Sequence, residues 1–282
     1  MDKPVRGYDE LADVWGDPQY CQGVPFYPIK LVDSDYYNRL SILRLNKNVS
    51  GDPELIRMPF LKFILLFNKE YDGNEENYLA NSLKTLLEYI FHDTVEFYYS
   101  LDVKFPKEPY EEFNLLYIQS EEDRKKLRFF IKIQDVFIAD STFNNVRHSI
   151  FLQNCIPIDK LGVTDPVLYE KLESAREKRF AKSTVAGLDE QIISLHVLTG
   201  ISIAEIKTYT FYQFMKALER AQMILDYKTL YPLEQKGEIS FKDPKDSIKH
   251  WLDHVEPKGL YDDVIVEAQP VLQKLQKDLS GT

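Results

Sequence analysis

The sequence predicts an α+β protein: a helical N-terminal part with a small, mainly antiparallel sheet, followed by an all-α C-terminal part. Three observations carry this. Apolar residues recur at helical spacing early in the chain. The middle holds short aromatic and β-branched runs. From Thr164 onward only helical patterns remain.

The elements follow in order. The first 20 residues read as irregular, and "GVPFYPIKLVD" (Gly23 to Asp33) as extended, since its two prolines prevent a helix. Ser34 or Asp35 is expected to cap a helix through "YYNRLSILRLNK", with Tyr36, Leu40 and Leu43 on one face. Asp52 and Pro53 read as the start of the next helix, which Pro59 breaks or restarts. Another spans Asn77 to Phe91, its stripe formed by Leu79, Leu83, Leu86, Leu87 and Ile90. "TVEFYYSL", "FNLLYIQ" and "RFFIKIQDVFIAD" read as three or four strands. "DSTFNNVRHSIFLQN" (Asp140 to Asn154) reads as an amphipathic helix capped by Asp140 or Ser141, burying Phe143, Val146, Ile150 and Phe151.

"IPIDKLGVTDP" is a proline-bearing connection and the best boundary candidate. It divides the chain into a mixed α+β domain, 1–157, and a helical domain, 158–282. A charged, largely solvent-facing helix begins at Pro166 after a Thr or Asp cap. The stretch from Leu188 to Gly237 reads as three helices in tight succession. Leu188, Ile192, Ile193, Leu195 and Leu198 give the first a broad apolar face, and Gly200 ends it. Ser202-x-x-Glu205 and Thr210-x-x-Gln213 read as two capping boxes. The second opens a helix with Phe211, Phe214, Met215, Leu218, Gln222 and Leu225 on one face. "DPKDSIKHWLDHVEP" reads as a helix with Ile248, Trp251, Leu252 and Val255 inward, and a last helix starts at Pro270.

Composition limits the functions on offer. With 35 Lys+Arg against 45 Asp+Glu the net charge is −10, so a nucleic-acid partner, which requires clustered positive charge, is not expected. The excess acid serves solubility. The N-terminus has no apolar signal region, and the longest apolar run, "FILLF", is far below the ~20 residues of a membrane span. Cys21 and Cys155 match no paired-cysteine spacing and are expected as free thiols in a reducing cytoplasm. The 18 Tyr and 17 Phe suit core rims and protein interfaces alike.

Chemistry-bearing motifs are scarce. No phosphate loop, dinucleotide fingerprint or nucleophile elbow occurs. "DGNEENY" lacks the ligand alternation of a calcium loop. His250 and His254, four apart on the expected helix, could share a cation, but the general-base Glu of an HExxH metal motif is missing and no third ligand is near in sequence. Cys155 and His148 lie close in sequence without an orienting third group. The expectation is therefore a non-enzyme with no catalytic, cofactor or metal residues, no cofactor, and a partner surface the sequence does not mark. The Phe211 helix opens "FYQFMKALER", too apolar to read DNA.

The residues do resemble a known group. Arg147 and the Gln153–Asn154 pair late in one helix, the Thr199–Gly200 turn, "TFYQF" from Thr210, the His250–Trp251 pair and "VPFYPIKLVDSDYYNRL" near the start resemble proteins of tailed phages of Gram-positive bacteria. The chain is similar to their tail assembly chaperones, which hold the tape measure protein before the tail tube polymerises around it. The resemblance implies a tail morphogenesis factor in the host cytoplasm whose partner is the tape measure or another tail protein, with no nucleic acid or membrane and with self-association open. The alternative it leaves is a virion structural protein of the tail or baseplate. It supplies no site motif, so it assigns no residue.

Overall fold

The computed structural model describes residues 8–44, 58–67, 78–101, 108–110, 126–158, 166–182, 186–241 and 248–253. The architecture is α+β, with two small antiparallel sheets in the N-terminal half and helices beyond.

The larger sheet has β3 (Val95–Ser100), β4 (Glu108–Pro109), β5 (Arg128–Ile133) and β6 (Val136–Ala139), in the order β4-β3-β5-β6. Period-2 alternation sets its buried face. Phe129, Ile131 and Ile133 are fully buried, and Tyr99, Phe97 and Val95 stand opposite them on β3. A two-residue turn joins β5 to β6. Its Gln134 takes the left-handed conformation, and the Gln134 amide donates to the Asp93 carboxylate at 2.9 Å. The expected strand "FNLLYIQ" lies outside the described residues.

Helices α3 (Phe60–Phe67), α4 (Tyr78–Phe91) and α5 (Asp140–Gln153) pack on this sheet. Pro59 immediately precedes α3, as the restart reading requires, while Asp52 and Pro53 lie outside the described residues. On α4, Leu83, Leu86, Leu87 and Ile90 are fully buried, each worth about 1.5–3 kcal/mol against exposure. On α5, Phe143, Val146, Ile150 and Phe151 are buried as expected.

Two expected caps are not made. Ala139, not Asp140 or Ser141, precedes α5, because β6 runs straight into the helix. The buried Asp140 carboxylate instead accepts from the Leu61 and Lys62 amides, the orphan donors of the first turn of α3. The expected helix from Ser34 is split. A 3-10 turn (Leu31–Asp33) leads into α2 (Ser34–Arg39), and a second 3-10 stretch (Leu40–Arg44) follows. Neither Ser34 nor Asp35 caps it: the residue before α2 is Asp33, whose carboxylate takes the Tyr89 hydroxyl at 2.7 Å. The 3-10 winding eclipses Leu40 and Leu43, and both are buried.

Residues 8–20, expected to be irregular, are more regular than that reading, while residues 1–7 lie outside the described residues. Residues Glu10–Trp15 form a helix, α1, whose amide at Leu11 is capped by Asp9 and whose end is Gly16 at φ 77°. A hairpin follows, β1 (Gln19–Cys21) and β2 (Val24–Phe26), turning through Gln22 and Gly23 at positive φ.

The C-terminal part holds α6 (Pro166–Lys182), α7 (Leu188–Thr199), α8 (Ile203–Ile206), α9 (Phe211–Thr229) and α10 (Tyr231–Gln235). Residues 248–253 are a turn rather than the expected helix: the Asp253 carboxylate accepts from the His250 amide, and His250 Nδ1 accepts from the Leu252 amide. That local bonding competes with helical pairing. Trp251 and Leu252, expected inward, are exposed. The cap at Thr164 or Asp165 and the helix from Pro270 lie outside the described residues.

One buried cluster runs across the expected boundary at residues 157 and 158, taking in Leu195, Ile206, Phe211 and Phe214 with the N-terminal core. Interior segments of the two halves meet directly. The Leu31 amide donates to the Tyr209 carbonyl and the Phe211 amide to the Ile29 carbonyl, both at 2.9 Å. Tyr37 stacks on Phe211 at 3.7 Å. The Gln153–Asn154 pair ends α5 and holds the same region: Asn154 Oδ1 accepts from the Ile29 amide, and the Gln153 amide donates to the Phe26 carbonyl.

Burial raises the Asp140 carboxyl to about 6, outweighing the two amides and the Lys62 and Arg128 charges that favour the anion. A carboxyl raised by folding stabilises most below its ordinary value, and that contribution disappears as pH rises through about 6. Asp140→Asn keeps an acceptor for one amide and removes the titration. Urea unfolding from pH 4 to 7 is expected to show the stability of wild type falling relative to D140N by about 2–3 kcal/mol. A constant difference would show that Asp140 does not titrate in this range.

Candidate interaction surface

The segment from Gly187 to Thr229 is built by its caps. The Glu190 carboxylate accepts from the Gly187 amide at 3.0 Å and opens α7, whose first turn is acidic at Asp189 and Glu190. Gly200, at φ 76°, closes it. His196 Nδ1 donates to the Ile201 carbonyl at 2.6 Å, which requires the proton on that nitrogen and pins the exit of the helix.

The next two caps differ from each other. Ser202 Oγ accepts from the Glu205 amide at 3.2 Å, which is one half of the expected box. At Thr210 both halves form: Thr210 Oγ1 accepts from the Gln213 amide at 3.2 Å and Gln213 Oε1 from the Thr210 amide at 2.9 Å. Gln213 Nε2 then donates to the Val14 carbonyl at 3.0 Å, so the box of α9 also anchors α1.

This framework leaves apolar side chains outside. Of the five residues expected to form the apolar face of α7, only Leu195 is buried, with Leu188 and Ile192 packed against the core. Ile193 is 53% exposed and Leu198 44% exposed; Val197, not part of the expected face, is 74% exposed. Ile203 on α8 is exposed as well. The apolar residues encircle α7 more widely than the core can cover, and the caps fix which arc faces out. On α9 the face divides similarly: Phe211 and Phe214 are buried, Met215 and Leu218 pack against the core, and Gln222 and Leu225 are exposed.

The candidate chemical pairs gain little. His250 lies in the turn described above, beside Trp251 and edge-on to Tyr227, and His254 lies outside the described residues. Arg220 ties this turn to α9 by donating to the Trp251 and Asp253 carbonyls, both at 2.8 Å. Among the described residues no cluster of three or more His, Cys, Asp or Glu could hold a metal ion. Both cysteines are free. Burial raises each thiol to about 11, so Cys155 keeps its proton at neutral pH and is a poor nucleophile. Its neighbour Lys216 pulls the other way, less strongly. Among the described residues no helix is long and apolar enough to cross a membrane.

The C-terminal segment has a counterpart. Residues 179–256 match a family model described as the YomV second domain, a phage-type family, which suggests a phage protein. The matched segment is a minority of the chain, and it contains α7, α8, α9 and α10. No curated protein matches, and no solved structure matches.

Two substitutions separate core from surface on α7. Leu195→Ala is expected to cost about 2–5 kcal/mol in urea unfolding, and Val197→Asp to change stability by no more than about 0.5 kcal/mol. A large loss from V197D would mean that the exposed arc is covered in solution.

Proposed function

We propose that this chain is a non-enzymatic phage tail morphogenesis factor, a tail assembly chaperone that binds the tape measure protein and uses the exposed apolar arc of α7 to do so. The observation that carries the binding reading is that arc: Ile193, Val197 and Leu198 stand outside on a helix whose rotation is fixed by caps at both ends. An aliphatic surface held still is suited to receiving an amphipathic helix of a partner. The arc lies within the segment that matches the phage-type family, and the sequence resemblance points to the tail.

The test is co-expression of the chain with the tape measure protein of the same phage. The tape measure protein is expected to co-purify with wild type and to be lost with V197D while V197D stays folded. Purified virions should lack the chain. Its presence at stoichiometric levels in particles would favour a structural component of the tail or baseplate and reject the chaperone reading.

A further inference from the structure

We propose that α1 carries a second docking surface, formed by Leu11, Val14 and Trp15, for a cationic amphipathic protein segment that seats a Lys or Arg on the Trp15 ring. The proposal stands apart from the α7 reading and does not depend on it.

A six-residue helix has no stability of its own, because nucleation costs more than so few hydrogen bonds return. Here it is held from beneath. Asp13 is fully buried, with one carboxylate oxygen taking the Tyr8 hydroxyl and the other the Gln19 amide at 3.0 Å. The same Gln19 side chain bonds both backbone groups of Asp9. Gln213 holds the Val14 carbonyl on the outgoing side. Gly16 cannot be replaced without strain, since its φ is positive and a Cβ would meet Gln213 and Thr210 at 3.2 and 3.3 Å.

This anchorage presents Leu11, Val14 and Trp15 to solvent at i, i+3 and i+4. They are 57%, 50% and 66% exposed. Scattered single apolar residues on a surface are ordinary, but three on one ridge of a pinned helix, one of them Trp, have the make-up of an interface anchor. Because the ridge is already ordered, a partner loses less entropy on meeting it.

Charge selects the occupant. Asp9, Glu10 and Asp17 are exposed around the ridge, and no Lys or Arg occurs from Tyr8 to Ile29. A second copy would bring like charges against these carboxylates, and an anionic membrane or nucleic acid would do the same. A Lys- or Arg-bearing segment meets them favourably, and Trp is the best ring for a cation.

The chain has two Trp, so Trp251→Phe leaves Trp15 as the sole indole reporter in the full-length protein. The probe is a synthetic amphipathic peptide with a Leu stripe flanked by Lys. The controls are the same peptide with Glu for Lys and one with its residues scrambled. The Lys peptide is expected to blue-shift Trp15 emission. Its affinity should fall about tenfold or more with the pair Glu10→Lys and Asp17→Lys, and similarly in about 0.5 M salt. In a protein with Trp251 retained, Trp15→Ala and Leu11→Ala should each weaken binding of a labelled peptide with an unchanged circular dichroism spectrum. Equal binding of the Glu or scrambled peptide would overturn the proposal. So would a blue shift that grows with protein concentration alone, since a second copy would then occupy the ridge.

Because the α1 ridge and the α7 arc are separate, V197D should leave binding of the Lys peptide intact, and failure of the wild type to capture the tape measure protein while it still binds the Lys peptide would reject only the α7 reading.

Discussion

The side chain of Gln213 joins parts of the chain that lie about two hundred residues apart. Its carbonyl closes the capping box on Thr210, and its amide reaches the last turn of α1. The box sets where α9 begins, and that start decides which residues of the helix turn inward. Phe211 and Phe214 enter the core, and Phe211 meets the Tyr37 ring. Thr210 is itself buried and bridges to Lys30, so the chain runs beside the N-terminal segment just where the helix starts. A cap is normally a local device that satisfies the free amides of one helix. Here the same side chain also positions a second helix, which couples α1 to the C-terminal helices.

Elements with strong periodicity were legible in the sequence. On the α4 stripe Leu83, Leu86, Leu87 and Ile90 are buried and Leu79 partly so, on α5 Phe143, Val146, Ile150 and Phe151 are buried, and β5 forms on the expected aromatic, β-branched run. The Thr210 box was legible from its residue types and spacing, although the same pattern at Ser202 makes only one of the two bonds. Helix α1 could also have been read. Asp9 at its start and Gly16 at its end are ordinary start and stop signals, but they enclose so short a span that periodicity adds nothing.

What the sequence concealed was the destination of polar side chains. Asp140 and Asp33 each stand at a helix start, where the nearest orphan amides would ordinarily claim them. Asp140 instead serves α3 and Asp33 takes a tyrosine hydroxyl from α4. Asn154 likewise bonds Ile29 across 125 positions of sequence. Each choice depends on which elements lie alongside, a property of the whole fold and absent from any local window. These long-range bonds share one physical logic. A buried polar group left unpaired costs more than it returns when paired, so each one ties two elements to a fixed relative position. Asp13 beneath α1 follows the same rule on a smaller scale.

The exposed apolar residues follow from that rigidity. Turning α7 far enough to bury Val197 would lift Leu195, now fully buried, out of the core. It would also break the bond from His196 to the Ile201 carbonyl and move Glu190 away from the Gly187 amide. The helix therefore has one favourable rotation, and that rotation leaves an aliphatic arc in water. Helix α1 is constrained in the same way by Asp13 below and Gln213 beside it. In both places local bonding holds the helix in the rotation that leaves these side chains outside. Both surfaces are the places where we propose a second molecule binds, and at α1 the exposed Asp9, Glu10 and Asp17 would favour a cationic one.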